Sequence, residues 1–163
     1  SCLATGFATN CFWRKWGGRA MTDKILRPLP ATDRDTLPFW TGGKDGRLLI
    51  ERCNDCHYLI HPPTGFCPQC EGRDTAPHAV SGRATIESFT VNHKQWMPGL
   101  TVPYVLALVA LEESPEVRLA TNIVGCAPHE VEINMPVTVR FEQVDDLWVP
   151  LFAPISAAVE HDA

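Results

Sequence analysis

The sequence contains no long apolar run. Within its 163 residues, no uninterrupted hydrophobic stretch approaches the roughly 18 to 20 residues that a membrane-spanning helix needs. The first 20 residues also lack the charged start and the apolar core of about 7 to 15 residues that mark a secretory signal. We therefore expect a soluble, cytoplasmic protein that has no membrane partner.

Residues 1–20 also lack acidic side chains, and the Met21-Thr22-Asp23-Lys24 that follows reads as an ordinary translation start. We expect this stretch to be a non-native or disordered leader, and a poorly structured arm or an organellar presequence is the alternative. On that interpretation Cys2 and Cys11 have no structural role.

Basic residues are scarce in the rest of the chain. The formal net charge is −5, and beyond residue 20 the sequence has 11 basic and 19 acidic residues. An acidic body repels phosphate backbones and gains nothing from counterion release in non-specific nucleic-acid binding. We therefore do not expect nucleic acid as a partner.

What the sequence does contain is a dense cysteine cluster, RCNDCHYLIHPPTGFCPQCEG, at 52–72. Cys53 and Cys56 form one Cys-x-x-Cys pair, Cys67 and Cys70 form a second, and ten residues separate the two pairs. The four cysteines could instead form disulfides in an oxidising compartment, but the sequence shows no secretory signal that would favour this alternative. Two such turns supply four thiolates at about 2.3 Å from a zinc ion, which closes its coordination. We predict a zinc ribbon with one structural zinc per chain; a redox dithiol or an iron site is the alternative.

Downstream of the cysteines the hydrophobic pattern is typical of β-strands. In the first segment the apolar positions shift phase between Ile86 and Phe89, which predicts a β-bulge and a bent strand. The second segment is continuously apolar from Tyr104 to Leu111, as in a strand that is covered on both faces. The predicted strands lie within 81–94, 103–113, 117–125, 137–144 and 147–154.

Residues 126–136 connect the third and fourth of these segments and are too short for a long helix. We expect a single helical turn there, which Asn134 ends in the left-handed conformation. Five strands with a short helix between the third and the fourth are the order of a Greek-key OB barrel. We therefore expect a mainly β protein with a leader at 1–20, an N-terminal helical segment at 21–45, a rubredoxin-like zinc ribbon at 46–78, a five-stranded OB-fold barrel at 79–156 and a tail at 157–163.

A family resemblance is carried by seven ordered segments: LPFW (37–40), GRLLIERCNDCHYLIHPP (46–63), CPQC (67–70), SGRATIESFTV (81–91), PYVLALVALEE (103–113), NIVGC (122–126) and NMPVTVRFE (134–142). Through them the sequence resembles, over residues 36–154, the zinc-ribbon and OB-fold proteins of domain-of-unknown-function family thirty-five. In that family the PFW stretch continues into an amphipathic helix, whereas Thr41-Gly42-Gly43 follows it here. Because glycine costs about 1 kcal/mol in a helix interior, we expect a helix that is shortened or shifted upstream.

The resemblance implies a non-catalytic, zinc-binding accessory subunit of an acyl-CoA-metabolising complex of the thiolase, aldolase or enoyl-CoA hydratase type. It implies a thiolase-like or hydratase-type partner subunit and a contribution to acyl-CoA binding. The residues agree, because the sequence shows no Ser-His-Asp arrangement, no Gly-rich phosphate loop and no His-Cys pair beyond the zinc ligands. The alternatives are a single-stranded nucleic-acid-binding protein, since OB barrels and zinc ribbons both occur there, and a free-standing acyl carrier or thioesterase-like enzyme.

Three aromatic residues are candidates for partner or ligand contact. Phe39 and Trp40 either anchor the first helix in the core or press into a neighbouring subunit, and the resemblance favours the interface, where large aromatic residues dominate hot spots. Trp96 lies in the loop between the first two barrel strands, which is a recurrent ligand surface of OB folds. For Trp96, contact with a partner or acyl chain and mere local packing are equal alternatives.

Coenzyme A carries phosphates, so an acidic protein needs local basic residues to bind it. The candidates near the ribbon and the first barrel strand are Arg52, Arg73, Arg83 and Lys94, with scattered solubilising charge as the alternative. Cys126 follows an apolar strand, and we interpret it as a small buried thiol rather than as a thiolase-type nucleophile.

Overall fold

A short helical region precedes the first strand of the ribbon. The structure, a computed structural model, describes residues 29–96 and 100–155. Helix α1 spans Leu37–Thr41 and a 3₁₀ helix follows at Gly42–Asp45. The N-terminal helix is therefore shortened and not shifted upstream, because residues 29–36 are not helical. Residues 21–28 of the expected helical segment lie outside the described residues.

The two glycines after α1 are required by packing. Both Gly42 and Gly43 are buried, and a Cβ atom on Gly43 would clash with Trp148 and with the ring of Phe141. The helical region can therefore lie directly on the barrel only because Gly43 has no side chain, while a Cβ atom on Gly42 would clash with the carbonyl of Arg47 and the side chain of Leu49.

The cysteine-rich segment forms a three-stranded antiparallel sheet in the order β2-β1-β3. The strands are β1 (Leu48–Cys53), β2 (Leu59–Ile60) and β3 (Thr75–Val80). Strand β3 was not among the predicted strands, because it contains Pro77 and its apolar residues do not alternate regularly. It continues past residue 78, where the ribbon was expected to end.

The second half of the chain forms a closed five-stranded barrel in the order β4-β5-β6-β8-β7. This confirms the predicted mainly β fold of ribbon and OB barrel. The register of the first barrel strand against the second shifts between Ile86 and Ser88, which confirms the bulge. The strands are β4 (Arg83–Asn92), β5 (Tyr104–Leu111), β6 (Arg118–Ile123), β7 (Pro136–Val144) and β8 (Leu147–Pro154), with a 3₁₀ helix at Pro128–Glu130.

Two details of the barrel differ from expectation. Strand β5 is not covered on both faces, because Leu106 is 43% exposed. Asn134 does adopt a left-handed φ of 66°, yet it does not end the helical turn, which already finishes before the extended Val131. Asn134 instead turns the chain into β7.

The main hydrophobic core lies inside the barrel and continues onto the ribbon. Phe152, Ile86 and Val109 are fully buried in the barrel, and Leu48 and Ile50 of β1 belong to the same cluster. Because β1 also begins the zinc-binding segment, this shared core attaches the ribbon to the barrel. In the described part of the chain, no helix is long and apolar enough to cross a membrane.

The barrel is weakly closed between β6 and β8. These parallel strands pair at one position in the described barrel, Ile123 opposite Phe152. Pro150 has no N–H with which to continue the ladder, and the hydroxyl of Thr121 donates instead to the carbonyl of Pro150 at 3.0 Å. We call the boundary where 119–122 of β6 lie beside 149–151 of β8 the seam.

Candidate functional site

The four predicted zinc ligands converge. The sulfur atoms of Cys53, Cys56, Cys67 and Cys70 all lie within 4.8 Å of one another. The distances of 3.6 Å between Cys53 and Cys70 and 3.5 Å between Cys56 and Cys67 are close to the roughly 3.8 Å expected for sulfurs arranged tetrahedrally around zinc. The donor set therefore fits one zinc ion and leaves no coordination position open for catalysis.

Both cysteine pairs are shaped by the same backbone turn. The N–H of His57 donates to the carbonyl of Cys53 at 3.0 Å, and the N–H of Glu71 donates to the carbonyl of Cys67 at 2.8 Å. His57 and Glu71 each follow the second cysteine of a pair and adopt a left-handed φ of 66° and 61°. Local backbone geometry thus positions both pairs of sulfurs in an equivalent way.

The electrostatics of the cluster also suit a bound cation. Burial opposes ionisation of Cys67, but the backbone N–H groups of Cys70 and Gln69 outweigh it and lower the pKa of Cys67 to about 7. The backbone at Gly72 also favours the thiolate of Cys70, yet the neighbouring thiols raise the pKa of Cys70 to about 12. A divalent ion resolves this conflict, because metal binding stabilises all four thiolates together.

An apolar groove with a volume of about 700 Å³ lies over the seam. One wall is formed by the aromatic residues of α1 and by the proline-rich loop of the ribbon, and the floor is formed by β6 and β8. None of its 17 lining residues is charged, although the protein has a net charge of −5. The lining residues include Phe39, Trp40, His61, Pro62, Pro63, Leu106, Ala120, Thr121, Pro150 and Phe152.

Phe39 and Trp40 are both packed into the fold and part of the groove. Their ring centroids are 4.8 Å apart in an edge-to-face arrangement, and the ring of His61 lies 5.0 Å from Phe39. Trp40 packs against the buried cluster of Val144, Val149 and Leu151. Burial lowers the pKa of His61, so its neutral ring completes the wall. Phe39 and Trp40 can therefore both anchor the first helix in the core and contribute to a contact surface.

The other two contact candidates lie elsewhere. Trp96 is 64% exposed, and the Nζ of Lys94 lies 4.6 Å from its ring centroid. The apolar loop residues Met97 to Gly99 lie outside the described residues. Arg83 forms an ion pair with Glu112 at 2.9 Å. Neither Trp96 nor Arg83 lines the groove.

The basic candidates do not gather into one patch. Arg83 is the first residue of β4 and Lys94 lies two residues beyond its end, so this ten-residue strand separates them. Arg52 lies on the ribbon, where its guanidinium is 3.3 Å from the ring of His78. The structure therefore does not assemble a single phosphate site from Arg52, Arg83 and Lys94.

Cys126 lines a second cavity of about 780 Å³, which shares Leu106, Asn122 and Leu151 with the groove. The thiol is partly rather than fully buried. Burial, and to a lesser extent the charge of Glu130, raises the pKa of Cys126. The thiol form is thereby favoured, which argues against a nucleophilic role.

A closed four-thiol site on a ribbon that is joined to a five-stranded barrel defines the class: a zinc-ribbon OB-fold protein with a structural metal. Residues 40–76 match the family described as "ChsH2, rubredoxin-like zinc ribbon domain". Residues 77–142 match the family described as "ChsH2, C-terminal OB-fold domain".

Relatives and a solved structure extend the match. A probable enoyl-CoA hydratase alpha subunit of Thermomonospora curvata is 41% identical over 80% of this chain, which spans only 41% of that relative. A DUF35 domain-containing scaffold protein of Methanothermobacter thermautotrophicus is 30% identical, over 60% of this chain and 73% of the relative. A chain of the solved Ltp2-ChsH2(DUF35) aldolase has a TM-score of 0.72 and 38% identity, over 78% of this chain and 100% of that one. The chain belongs to the DUF35 family, which confirms the resemblance.

Proposed function

We propose that the chain is a non-catalytic accessory subunit or domain of an acyl-CoA enzyme of the aldolase or enoyl-CoA hydratase type, and that it docks its partner through the groove. The observation that carries this proposal is the groove itself: an uncharged apolar surface of 17 residues on an acidic protein. Exposed apolar surface of this kind marks interaction sites. Phe39 and Trp40 then form its aromatic wall.

The relatives support an enzyme partner. Their descriptions name a hydratase subunit, a scaffold protein and an aldolase that contains a DUF35 chain. The site agrees with a supporting role, because its metal is coordinatively closed and the pKa of Cys126 is raised. A contribution of the barrel to acyl-CoA binding and a cytoplasmic location, where thiols stay reduced, belong to the same proposal.

Native co-purification tests this function. The chain, isolated from its own cells with an affinity tag, should bring with it an aldolase, thiolase-like or hydratase-type subunit in stoichiometric amount, identified by mass spectrometry. Alone, the chain should show no aldolase, thiolase, hydratase or thioesterase turnover. Turnover by the isolated chain, or the absence of any acyl-CoA enzyme from the purified complex, would contradict the proposal.

A further inference from the structure

The proline-rich wall of the groove belongs to the segment that joins the two halves of the zinc site. His61 and the two prolines after it line the groove, and they lie among the ten residues between Cys56 and Cys67. We call these ten residues, 57–66, the wall loop. A metal ligand stands at each end of the wall loop, and the sulfurs of these two ligands are 3.5 Å apart. Ligation of both sulfurs to one ion therefore fixes both ends of the loop at one point.

Adjacent residues of the wall loop contact the metal site and the groove. Ile60 is 3% exposed and shares a small buried cluster with the ligands Cys53 and Cys67. The next residue, His61, lines the groove, and its ring lies 5.0 Å from that of Phe39. A displacement of the loop away from the ligands would therefore also move the wall of the groove.

Other support for the wall loop within the ribbon is small. Strand β2 is two residues long and pairs with β1 at two positions, and the bond from the hydroxyl of Tyr58 to Glu116 is exposed. The cluster around Ile60 has three buried residues, two of which are metal ligands. A single buried isoleucine offsets only a small part of the conformational entropy that ten ordered residues lose. Ligation of the thiolates therefore supplies much of the order of the wall loop.

We propose that zinc binding and partner docking are thermodynamically coupled through the wall loop: the zinc-loaded chain presents the groove, and a docked enzyme subunit in turn tightens the binding of zinc. This inference rests on the proposed docking function and adds its regulation by metal supply. Coupling between two sites is reciprocal, so each ligand raises the affinity for the other by the same factor. If the metal stabilised the ribbon alone, the partner would not change the affinity for zinc.

Equilibrium competition with a chromogenic zinc chelator measures the coupling on the unmodified chain, alone and in complex with the co-purified enzyme subunit, with that subunit by itself as the blank. The complex should bind zinc about tenfold more tightly than the chain alone, a factor usual for coupled sites. A chain stripped of zinc before mixing should capture the subunit more weakly by the same factor, and added zinc should restore capture. Equal zinc affinities, or equal capture by the stripped chain, overturn the inference and leave the proposed function standing. Absence of any complex with the zinc-loaded chain overturns the proposed function itself.

Hydrogen exchange on the isolated chain locates the effect without a partner. After zinc removal, the amide of His57, which donates to the carbonyl of Cys53, and the other amides of the wall loop should exchange at least about tenfold faster. The amides of Val109 and Leu119 in the barrel should keep their protection and serve as internal controls. Equal acceleration in the barrel would show that the metal supports the whole fold, and an unchanged wall loop would show that the metal does not order it. Either result overturns the proposal.

Discussion

The hydroxyl of Thr121 donates a hydrogen bond to the carbonyl of Pro150 at 3.0 Å, across the seam where the backbone ladder between β6 and β8 ends. Thr121 is 6% exposed, and Pro150 has no N–H of its own to donate to β6 at this point. One side-chain bond therefore helps to close the barrel at the edge of the groove.

Thr121→Val should lower the free energy of unfolding by about 1 to 3 kcal/mol, because the shape is kept while the buried carbonyl of Pro150 loses the hydrogen bond from this hydroxyl. Urea unfolding of the zinc-loaded protein measures the change. The control is Thr90→Val, at an exposed position of β4, which should change stability by less than about 0.5 kcal/mol. Equal stability of Thr121→Val and wild type would show that the bond across the seam is dispensable.

Zinc should be present at about one equivalent per chain in the purified protein. Cys67→Ser removes one of four thiolate ligands and should release the metal and unfold the ribbon, because the free energy of metal binding stabilises the folded site. Cys126→Ser, outside the cluster, should keep the zinc. Elemental analysis with circular dichroism distinguishes these results; a metal-free chain with intact structure and two disulfides would refute the zinc site.

His61 should make stability depend on pH. Burial lowers its pKa, so the folded state binds fewer protons than the unfolded state, and stability falls as the pH decreases below the ordinary histidine value of about 6.5. His61→Gln should flatten this dependence between about pH 7.5 and 5.5 in urea unfolding with zinc present. His93→Gln, at an exposed position, should leave it unchanged. An identical pH dependence in wild type and both variants would show that His61 is not its source.

Oligonucleotide binding should be weak. With a net charge of −5 and with Arg52, Arg83 and Lys94 not gathered into one site, the chain should bind single strands no better than about 10⁻⁴ M at physiological salt. Fluorescence anisotropy with a labelled oligonucleotide, over a range of salt concentrations, measures this. Micromolar binding with a steep salt dependence would favour the nucleic-acid alternative.

Features encoded by local patterns were predictable from the sequence. The two Cys-x-x-Cys pairs each form a turn within five residues, so their spacing alone indicates the zinc site. The phase shift between Ile86 and Phe89 likewise marks the bulge, because a bulge reverses which face of a strand is buried.

Features that depend on contacts between distant segments were not predictable. Gly43 looks like a helix breaker in the sequence, and only the positions of Phe141 and Trp148 explain why it must lack a side chain. The groove likewise depends on α1, the ribbon loop and three barrel strands, which lie far apart in the sequence. Arg83 was a ligand candidate by its charge, but its partner Glu112 follows the end of the neighbouring strand β5.

The test of the docking surface should use an exposed residue, because replacing Trp40 would also disturb the cluster around Val149. Leu106 suits this purpose: it is 43% exposed and lines the groove. Ile133 is 58% exposed and lies outside the groove, which makes it the matched control.

The most direct measurement is therefore the affinity of Leu106→Asp and Ile133→Asp for the co-purified acyl-CoA enzyme subunit, with zinc content and thermal unfolding checked for both. A charge buried in the uncharged groove should cost more than about 2 kcal/mol of binding free energy in Leu106→Asp, whereas Ile133→Asp should bind like wild type. Wild-type affinity in Leu106→Asp, or equal losses in the two variants, would contradict docking through the groove.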